Sequence, residues 1–82
     1  MNTFFIDFET TGLNPYHDEI IEFAMKKYKS DKIICNLVKP QRVRMIPSKI
    51  TEITGITTED IFNGNTISNI NACEKIFTFL KE

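Results

Sequence analysis

The stretch FFIDFETTGL, residues 4–13, decides the fold prediction for this sequence. Successive side chains of a β-strand point to opposite faces. The apolar residues at positions 4, 6 and 8 therefore share one face, whereas Asp7 and Glu9 share the other. The polar residues and glycine that follow are typical of a tight turn. The stretch predicts one strand that runs into a turn, with both acids near the end of the strand.

The shared face of Asp7 and Glu9 has a chemical consequence. Two carboxylates this close repel each other and resist burial unless a cation or a shared proton lies between them. Hard divalent cations such as Mg²⁺ prefer carboxylate oxygens as ligands. The sequence therefore predicts half of a metal site at the point where the first strand leaves the sheet.

Length and composition restrict the class of protein. The chain has 82 residues, a formal net charge of −1 and 41% hydrophobic residues. These values predict one small domain with a hydrophobic core rather than a disordered segment. No apolar run reaches the length of a membrane span, and the N-terminus lacks the features of a signal peptide. We therefore expect no membrane association and an intracellular protein, cytoplasmic or, in a eukaryote, nuclear.

The hydrophobic pattern changes period halfway along the chain. Alternating and β-branched segments in the first half predict an antiparallel three-stranded meander, and helical spacing in the second half predicts three helices. An α+β domain with one sheet face covered by a helix follows from this order. The predicted strands are 3–9, 19–28 and 32–38, and the predicted helices are about 48–54, 58–62 and 69–80.

Polar residues at expected positions predict where the helices begin and end. Ser48 and Ser68 are suited to cap the first and third helices, and Thr57 with Asp60 resembles a capping box for the second. Gly55 lies where a left-handed residue ends the first helix. The third helix is predicted to bury an apolar stripe of Ile70, Cys73, Phe77 and Leu80, widened by Ile76. We also expect both cysteines, Cys35 and Cys73, to be buried reduced thiols.

Two clusters of basic residues could bind phosphate groups. The segment 39–49 contains Lys39, Arg42, Arg44 and Lys49 and no acid. The second cluster lies around the predicted hairpin and consists of Lys26, Lys27, Lys29 and Lys32. The sequence does not choose between them, since solvated hairpin ends have the same composition.

Several segments resemble the DEDD exonucleases, the superfamily of the proofreading subunit of bacterial DNA polymerase III and of ribonuclease T. DFETTGL at 7–13 is similar to the first motif of that superfamily. The similarity continues, in the family's order and spacing, over nearly the whole chain. The further segments are DEIIEFA at 18–24, KP at 39–40 with IP at 46–47, and ITGIT at 53–57.

The resemblance implies a fold and an activity. The fold would be ribonuclease-H-like, and this chain would hold its first three strands and first helices. The activity would be hydrolysis of a nucleic-acid strand from its single-stranded 3′ end, with two Mg²⁺ or Mn²⁺ ions. Asp7 and Glu9 would be the catalytic metal ligands, with Asp7 bridging the ions. Glu22 would be a structural or indirect contributor at most.

The resemblance also implies which residues bind substrate. The terminal nucleotide would be contacted by Thr10, Thr11, Gly12 and Leu13, with Leu13 against its base. The segment 53–57, with Ile56, would also lie near that base. For each of these residues a purely structural role stays open: a turn, a core contact or a helix end.

The family's second and third motifs are absent from the 82 residues. The family uses four acids and a His or Tyr base, whereas His17 here falls in a predicted exposed loop. Three alternatives follow. The chain is the N-terminal part of a single, incomplete exonuclease domain over 1–82 that is inactive alone, or a binding or interaction module without catalysis, or one half of a split enzyme. Its protein partner would be a polymerase or a separately encoded C-terminal half.

Overall fold

The computed structural model describes residues 2–82. A four-stranded mixed sheet carries three helices, which confirms the predicted α+β class. No helix among these residues is long and apolar enough to cross a membrane. The elements in chain order are β1 (Phe4–Thr10), β2 (Ile20–Lys27), β3 (Ile33–Val38), α1 (Ser48–Thr54), α2 (Thr58–Asn63), β4 (Thr66–Ile67) and α3 (Asn69–Leu80).

The sheet has the strand order β1-β2-β3-β4. The first three strands form the predicted antiparallel meander, with Asp7 opposite Ala24 and Ala24 opposite Cys35. The sequence did not predict β4, which pairs parallel to the end of β3. Two residues are too few to display a hydrophobic period, so only the long-range pairing reveals this strand. Among the described residues, no strand pairs with the outer edge of β1.

Two apolar clusters form the core. The larger one lies between the sheet and α3, where Phe23 and Met25 of β2 pack against Ala72 and Phe79 of α3. The second lies at the end of the sheet and joins Ile21 of β2 to the residues around α1 and α2. Register shifts between Glu9 and Thr10, so that Ile21 falls at a bulge and is fully buried. The core therefore lies over β2 and β3 rather than over β1.

The apolar stripe of α3 that was predicted to be buried lies instead on an uncovered side of the helix. Ile70 is 69% exposed, Phe77 64% and Leu80 40%, and Cys73 is also exposed. Ile76, predicted to widen the stripe, does contact the core, together with Ala72 and Phe79. The rest of the prediction was wrong because α3 carries two apolar stripes at helical spacing. Periodicity alone cannot say which of them meets the sheet.

The prediction for the cysteines was correct in one respect and wrong in the other. Neither Cys35 nor Cys73 is in a disulfide, as expected, but both are exposed. Cys35 lies on the face of the sheet opposite α3, which no described helix covers. Partial burial and the neighbouring carboxylate of Glu22 together raise the pKa of the Cys35 thiol.

Most of the predicted helix ends are present. Thr57 and Asp60 form a capping box, Ser68 accepts a hydrogen bond from the N–H of Asn71, and Gly55 has a φ of 80°. The exception is α1, because Pro47 is its N-terminal flanking residue and no side chain caps it. Ser48 is the first helical residue and does not cap α1 as predicted.

The loop between β3 and α1 is held in place by a single carboxylate. Glu19 accepts hydrogen bonds from the backbone N–H groups of Gln41, Arg42 and Val43, at 2.8, 2.9 and 2.8 Å. Partial burial raises the pKa of Glu19, but these three donors and the Arg42 guanidinium outweigh it, so the pKa lies below its ordinary value. The ionised side chain therefore ties this loop to the beginning of β2.

Replacing this carboxylate should destabilise the protein in a pH-dependent way. We expect Glu19→Gln to lower the free energy of unfolding at pH 7 by roughly 1–3 kcal/mol, since charge-assisted hydrogen bonds are lost. The folded-state pKa lies below 4.5, so the difference from wild type should persist above that pH and shrink as pH falls through the folded-state pKa. Urea unfolding at several pH values measures it. Glu52→Gln on exposed α1 is the control and should change little, and an equal loss there would contradict the assignment.

Candidate active site

The carboxylates of Asp7 and Glu9 lie on the sheet face opposite α3. In the described chain neither makes a hydrogen bond or an ion pair. Glu22 of β2 lies directly opposite Glu9 in the register and so shares this face. Like charges directly opposite each other across two strands are unfavourable without a counter-ion. The arrangement makes this end of the sheet attractive to a cation.

The turn after β1 is closed by a set of buried hydrogen bonds. The hydroxyl of Thr11, 4% exposed, donates to Asp18 Oδ1 at 2.9 Å and accepts from the N–H of Glu19 at 3.0 Å. The other oxygen of Asp18 accepts from the N–H of Asn14 at 2.8 Å. The Thr11 side chain is therefore committed to holding the loop 11–18, not to contacting a ligand.

Gly12 is required for a close approach rather than for a special backbone angle. A Cβ on this residue would lie 2.5 Å from Asp18 Oδ2. Its φ is not positive, whereas Gly55 has that feature. The hydroxyl of Thr10 donates to the carbonyl of Gly12 at 2.7 Å, which tightens the same turn.

A cleft of about 430 Å³ lies between this turn and α1. One wall is formed by residues 8–13, so Glu9 lines the cleft together with the turn. Asp7 does not line it but borders a shallower depression on the bare sheet face, beside Ala24 and Ile33. The opposite wall consists of Pro47, Lys49, Ile50, Ile53 and Thr54.

The apolar residues at the mouth of the cleft have no structural explanation within the described chain. Leu13 is 100% exposed and Ile53 is 70% exposed, although both border the cleft. The possibility that Leu13 only fills the core is therefore wrong. Ile56, predicted to contact substrate, is only 6% exposed and packs with Ile21 and Ile61. Its side chain does not reach the cleft, which Ile53 lines instead.

The resemblance placed the segment 53–57 near the substrate and named Ile56 within it, but sequence reasoning did not single out Lys49 or Ile53. They are on α1, more than 30 residues after the turn, so only the packed structure brings them opposite Glu9. The contact of Glu19 with the loop before α1 would have revealed these residues, but no local sequence pattern predicts that contact. His17 lies exposed in the loop, as expected.

The donor atoms fit a divalent cation only in part. Asp7 and Glu9 supply carboxylate oxygens of the kind that Mg²⁺ and Mn²⁺ prefer. Within residues 2–82 no group of three His, Cys, Asp or Glu side chains could hold a metal ion together. Further ligands must therefore come from outside these residues if the ion is bound tightly.

Comparisons with known proteins decide the family. A family model described as Exonuclease matches residues 4–82. This chain belongs to the exonuclease family. The resemblance to DEDD exonucleases seen in the sequence is thereby confirmed, and the mixed sheet with its helices is consistent with the beginning of a ribonuclease-H-like fold.

Relatives of this exonuclease chain are large proteins. The chain is 44% identical over 68 residues to a PolC-type DNA polymerase III of Thermotoga maritima, and this match covers 79% of the chain. It is 39% identical over 77 residues to the corresponding protein of Mycoplasma genitalium, covering 93% of the chain. In both cases the match spans only 5% of the relative's length.

Two substitutions separate structural from ligand-facing residues in the turn. Thr11→Val removes the hydroxyl that the buried N–H of Glu19 needs, and should cost roughly 1–3 kcal/mol of unfolding free energy. Leu13→Ala removes a side chain without structural contacts and should stay within about 0.5 kcal/mol of wild type. Urea unfolding monitored by circular dichroism measures both. A substantial loss for Leu13→Ala would mean that Leu13 packs against the protein.

Proposed function

We propose that this chain is the N-terminal part of a 3′–5′ exonuclease domain and does not cleave nucleic acid by itself. The observation that carries the proposal is the cleft between the β1 turn and α1. It brings Glu9, an uncommitted carboxylate, next to two exposed apolar side chains, Leu13 and Ile53. An acid beside apolar contacts suits a site that holds a nucleotide base and acts on the adjoining phosphodiester.

Each wall of the cleft would have its own task. Leu13 and Ile53 would hold the base of the 3′-terminal nucleotide through apolar contact, since nothing in the described chain covers them. Gly12 would contribute its backbone to the wall of the cleft, since it lines the cleft while Asp18 fills the space that a side chain would need. The hydroxyls of Thr10 and Thr11 would support the turn from within. Of the predicted substrate residues, we retain Gly12 and Leu13 as direct contacts.

Asp7 and Glu9 would hold the divalent cation of the reaction. Mg²⁺ or Mn²⁺, two ions in the family site, would neutralise charge on the phosphodiester and assist attack by water. The free state of both carboxylates supports this role, because an acid committed to an ion pair would be less available. The other acids and the general base would come from another segment of polypeptide.

The uncovered side of β1 supports that need for another segment. The outer edge of β1 is unpaired among the described residues, and Ile6 and Phe8 on its α3 side are 47% and 41% exposed. Phe77 of α3 is 64% exposed, whereas Lys75 of the same helix donates to Asn36 of β3. The exposed face and unpaired edge of β1, together with the exposed apolar residues of α3, suit the docking of a strand and a helix from a complementary segment.

We also propose what that complementary segment is. The relatives are PolC-type DNA polymerases III that extend far beyond the matched region, so a continuing or separately supplied C-terminal half of the exonuclease domain is the partner we expect. Association with a polymerase and an intracellular location remain predictions from the sequence. A second copy of this chain is disfavoured as the partner. Antiparallel pairing of β1 with itself would bring the acids of both copies together.

The metal assignment can be tested without nucleic acid. Titration with Mn²⁺ should broaden the backbone amide signals of residues 6–10 through paramagnetic relaxation, because the ion binds next to Asp7 and Glu9. The double variant Asp7→Asn with Glu9→Gln should abolish the broadening. Asp31→Asn, at the hairpin, is the matched control. Broadening centred elsewhere, or persisting in the double variant, would contradict the site.

Activity should be absent from the isolated chain. Within residues 2–82 no group of three side chains could hold a metal ion together, and phosphoryl transfer depends on complete metal coordination. We expect no release of mononucleotides from labelled single-stranded DNA or RNA with Mg²⁺ or with Mn²⁺. Asp7→Ala, prepared in parallel, controls for a contaminating nuclease. Metal-dependent release by wild type but not by Asp7→Ala would overturn the proposed inactivity.

A complementary segment should restore what the chain lacks. The probe is the polypeptide of about 100 residues that follows the matched region in the Thermotoga maritima relative. Mixed with this chain, it should give metal-dependent 3′–5′ release that Asp7→Ala abolishes. If that mixture stays inactive while the two polypeptides bind each other, the proposed catalytic role of Asp7 is wrong.

A further inference from the structure

The strand register separates the two basic clusters that the sequence left equivalent. Lys27 and Lys26 lie opposite Phe4 and Phe5, at the beginning of β1. Glu9 lies opposite Glu22, and Glu22 lies opposite Leu37 at the end of β3. The segment 39–49 therefore leaves the sheet at the same end as the candidate active site, and the lysines around the hairpin lie at the other end.

The hairpin cluster is already partly engaged. Lys27 Nζ donates to the backbone carbonyl of Glu82 at 2.8 Å, and Lys32 lies 3.5 Å from the carboxylate of the same residue. The ammonium of Lys29 lies over the ring of Tyr28. These contacts engage Lys27 and Lys32 with Glu82 and Lys29 with Tyr28, and they lower the availability of the cluster for phosphate.

The basic segment near the site combines a fixed backbone with cationic side chains that are available for binding. Glu19 holds the backbone of residues 41–43, and one nitrogen of Arg42 donates to the carbonyl of Tyr16 at 3.4 Å. Arg44 and Lys49 are exposed, and in the described chain neither makes a hydrogen bond or an ion pair. Lys49 also lines the cleft opposite Glu9. A rigid backbone that presents free cations loses little entropy when it binds an anion.

We propose that Arg42, Arg44 and Lys49 bind the phosphate backbone of a single-stranded nucleic acid and lead its 3′ end into the cleft. Lys49 would contact the phosphate nearest the cleft, and the two arginines would contact phosphates farther along the strand. Lys39 is not included, because its ammonium lies 5.9 Å from the ring centroid of Phe62 on α2. This inference rests on the proposed function for the identity of the ligand, but the surface does not require the metal site to be intact.

Salt dependence measures the number of phosphate contacts directly. For single strands each contact contributes about 0.7 to the slope of log K against log salt concentration, or roughly fivefold in affinity at 0.1 M salt. The probe is a fluorescein-labelled oligothymidylate of about ten nucleotides, followed by anisotropy in EDTA. We expect the double variant Arg44→Gln with Lys49→Gln to bind roughly 25-fold more weakly, with the slope lower by about 1.4.

The matched control removes the same charge from the other cluster. Lys26→Gln with Lys32→Gln also takes away two positive charges, but at the end of the sheet away from the site. Its effect should be under about twofold at 0.1 M salt, because charges farther away than about 10 Å are screened. Circular dichroism melts should match wild type for both double variants. Arg44 and Lys49 make no hydrogen bond or ion pair within residues 2–82, and an exposed ion pair such as Lys32–Glu82 contributes little to stability.

The outcomes are distinguishable from those of the metal experiment. Equal losses for the two double variants, an unchanged slope, or no binding by wild type at 0.05 M salt would each overturn the phosphate-binding surface. Failure of Mn²⁺ to localise at residues 6–10, with the salt dependence as expected, would overturn the catalytic assignment and leave this surface standing. If Arg44→Gln with Lys49→Gln unfolds, the single variants carry the test, each with about a fivefold loss expected.

Discussion

The carboxylate of Glu19 holds together the parts of this protein that form the cleft. It accepts three consecutive backbone N–H groups from the loop that precedes α1, while its own N–H and carbonyl bond to Thr11 in the turn after β1. One residue therefore connects the turn with the loop that leads to the opposite wall. It acts together with Ile46 of the same loop and Ile50 of α1, which pack in the apolar cluster around Ile21.

The same contact explains why a short chain can present a defined site far from its main core. The larger core lies under α3 and stabilises β2 and β3. At the other end of the sheet, the hydrogen bonds of Thr11, Asp18 and Glu19 add to the smaller apolar cluster around Ile21. Charge-assisted hydrogen bonds are directional, so they position a loop more narrowly than apolar contacts do. The cleft inherits this order, and so does the basic segment beside it.

The distribution of exposed apolar side chains shows which parts of this structure are covered and which are not. One face of β2 and β3 is covered by α3, whereas β1 has an edge that no described strand pairs with and half-exposed Ile6 and Phe8. Phe77 of α3 is also exposed. Open strand edges with adjoining apolar surface are places where another chain segment adds on. The incomplete ligand set among residues 2–82 and the uncovered side of β1 both agree with the proposed complementary segment.

The family signature, the strand order of the first half and the positions of the helices could be read from local patterns. Alternation, capping residues and glycine positions are set by backbone geometry within a few residues, so Thr57, Gly55 and Ser68 were assigned correctly. The short β4 and the buried side of α3 could not be read in this way. Either stripe of α3 satisfies helical periodicity. Which stripe is buried depends on which one meets apolar residues of the sheet.

The sequence by itself determined that Asp7 and Glu9 share one strand face and that a turn follows them, because strand alternation and turn chemistry are local. Tertiary structure alone decided that Thr11 is buried, that Leu13 is free, that Ile53 rather than Ile56 borders the cleft, and that one basic cluster adjoins it. Each of these outcomes depends on register and on contacts between residues distant in the chain. A linear pattern contains the candidates for such contacts, but the packing free energy of the whole fold selects among them.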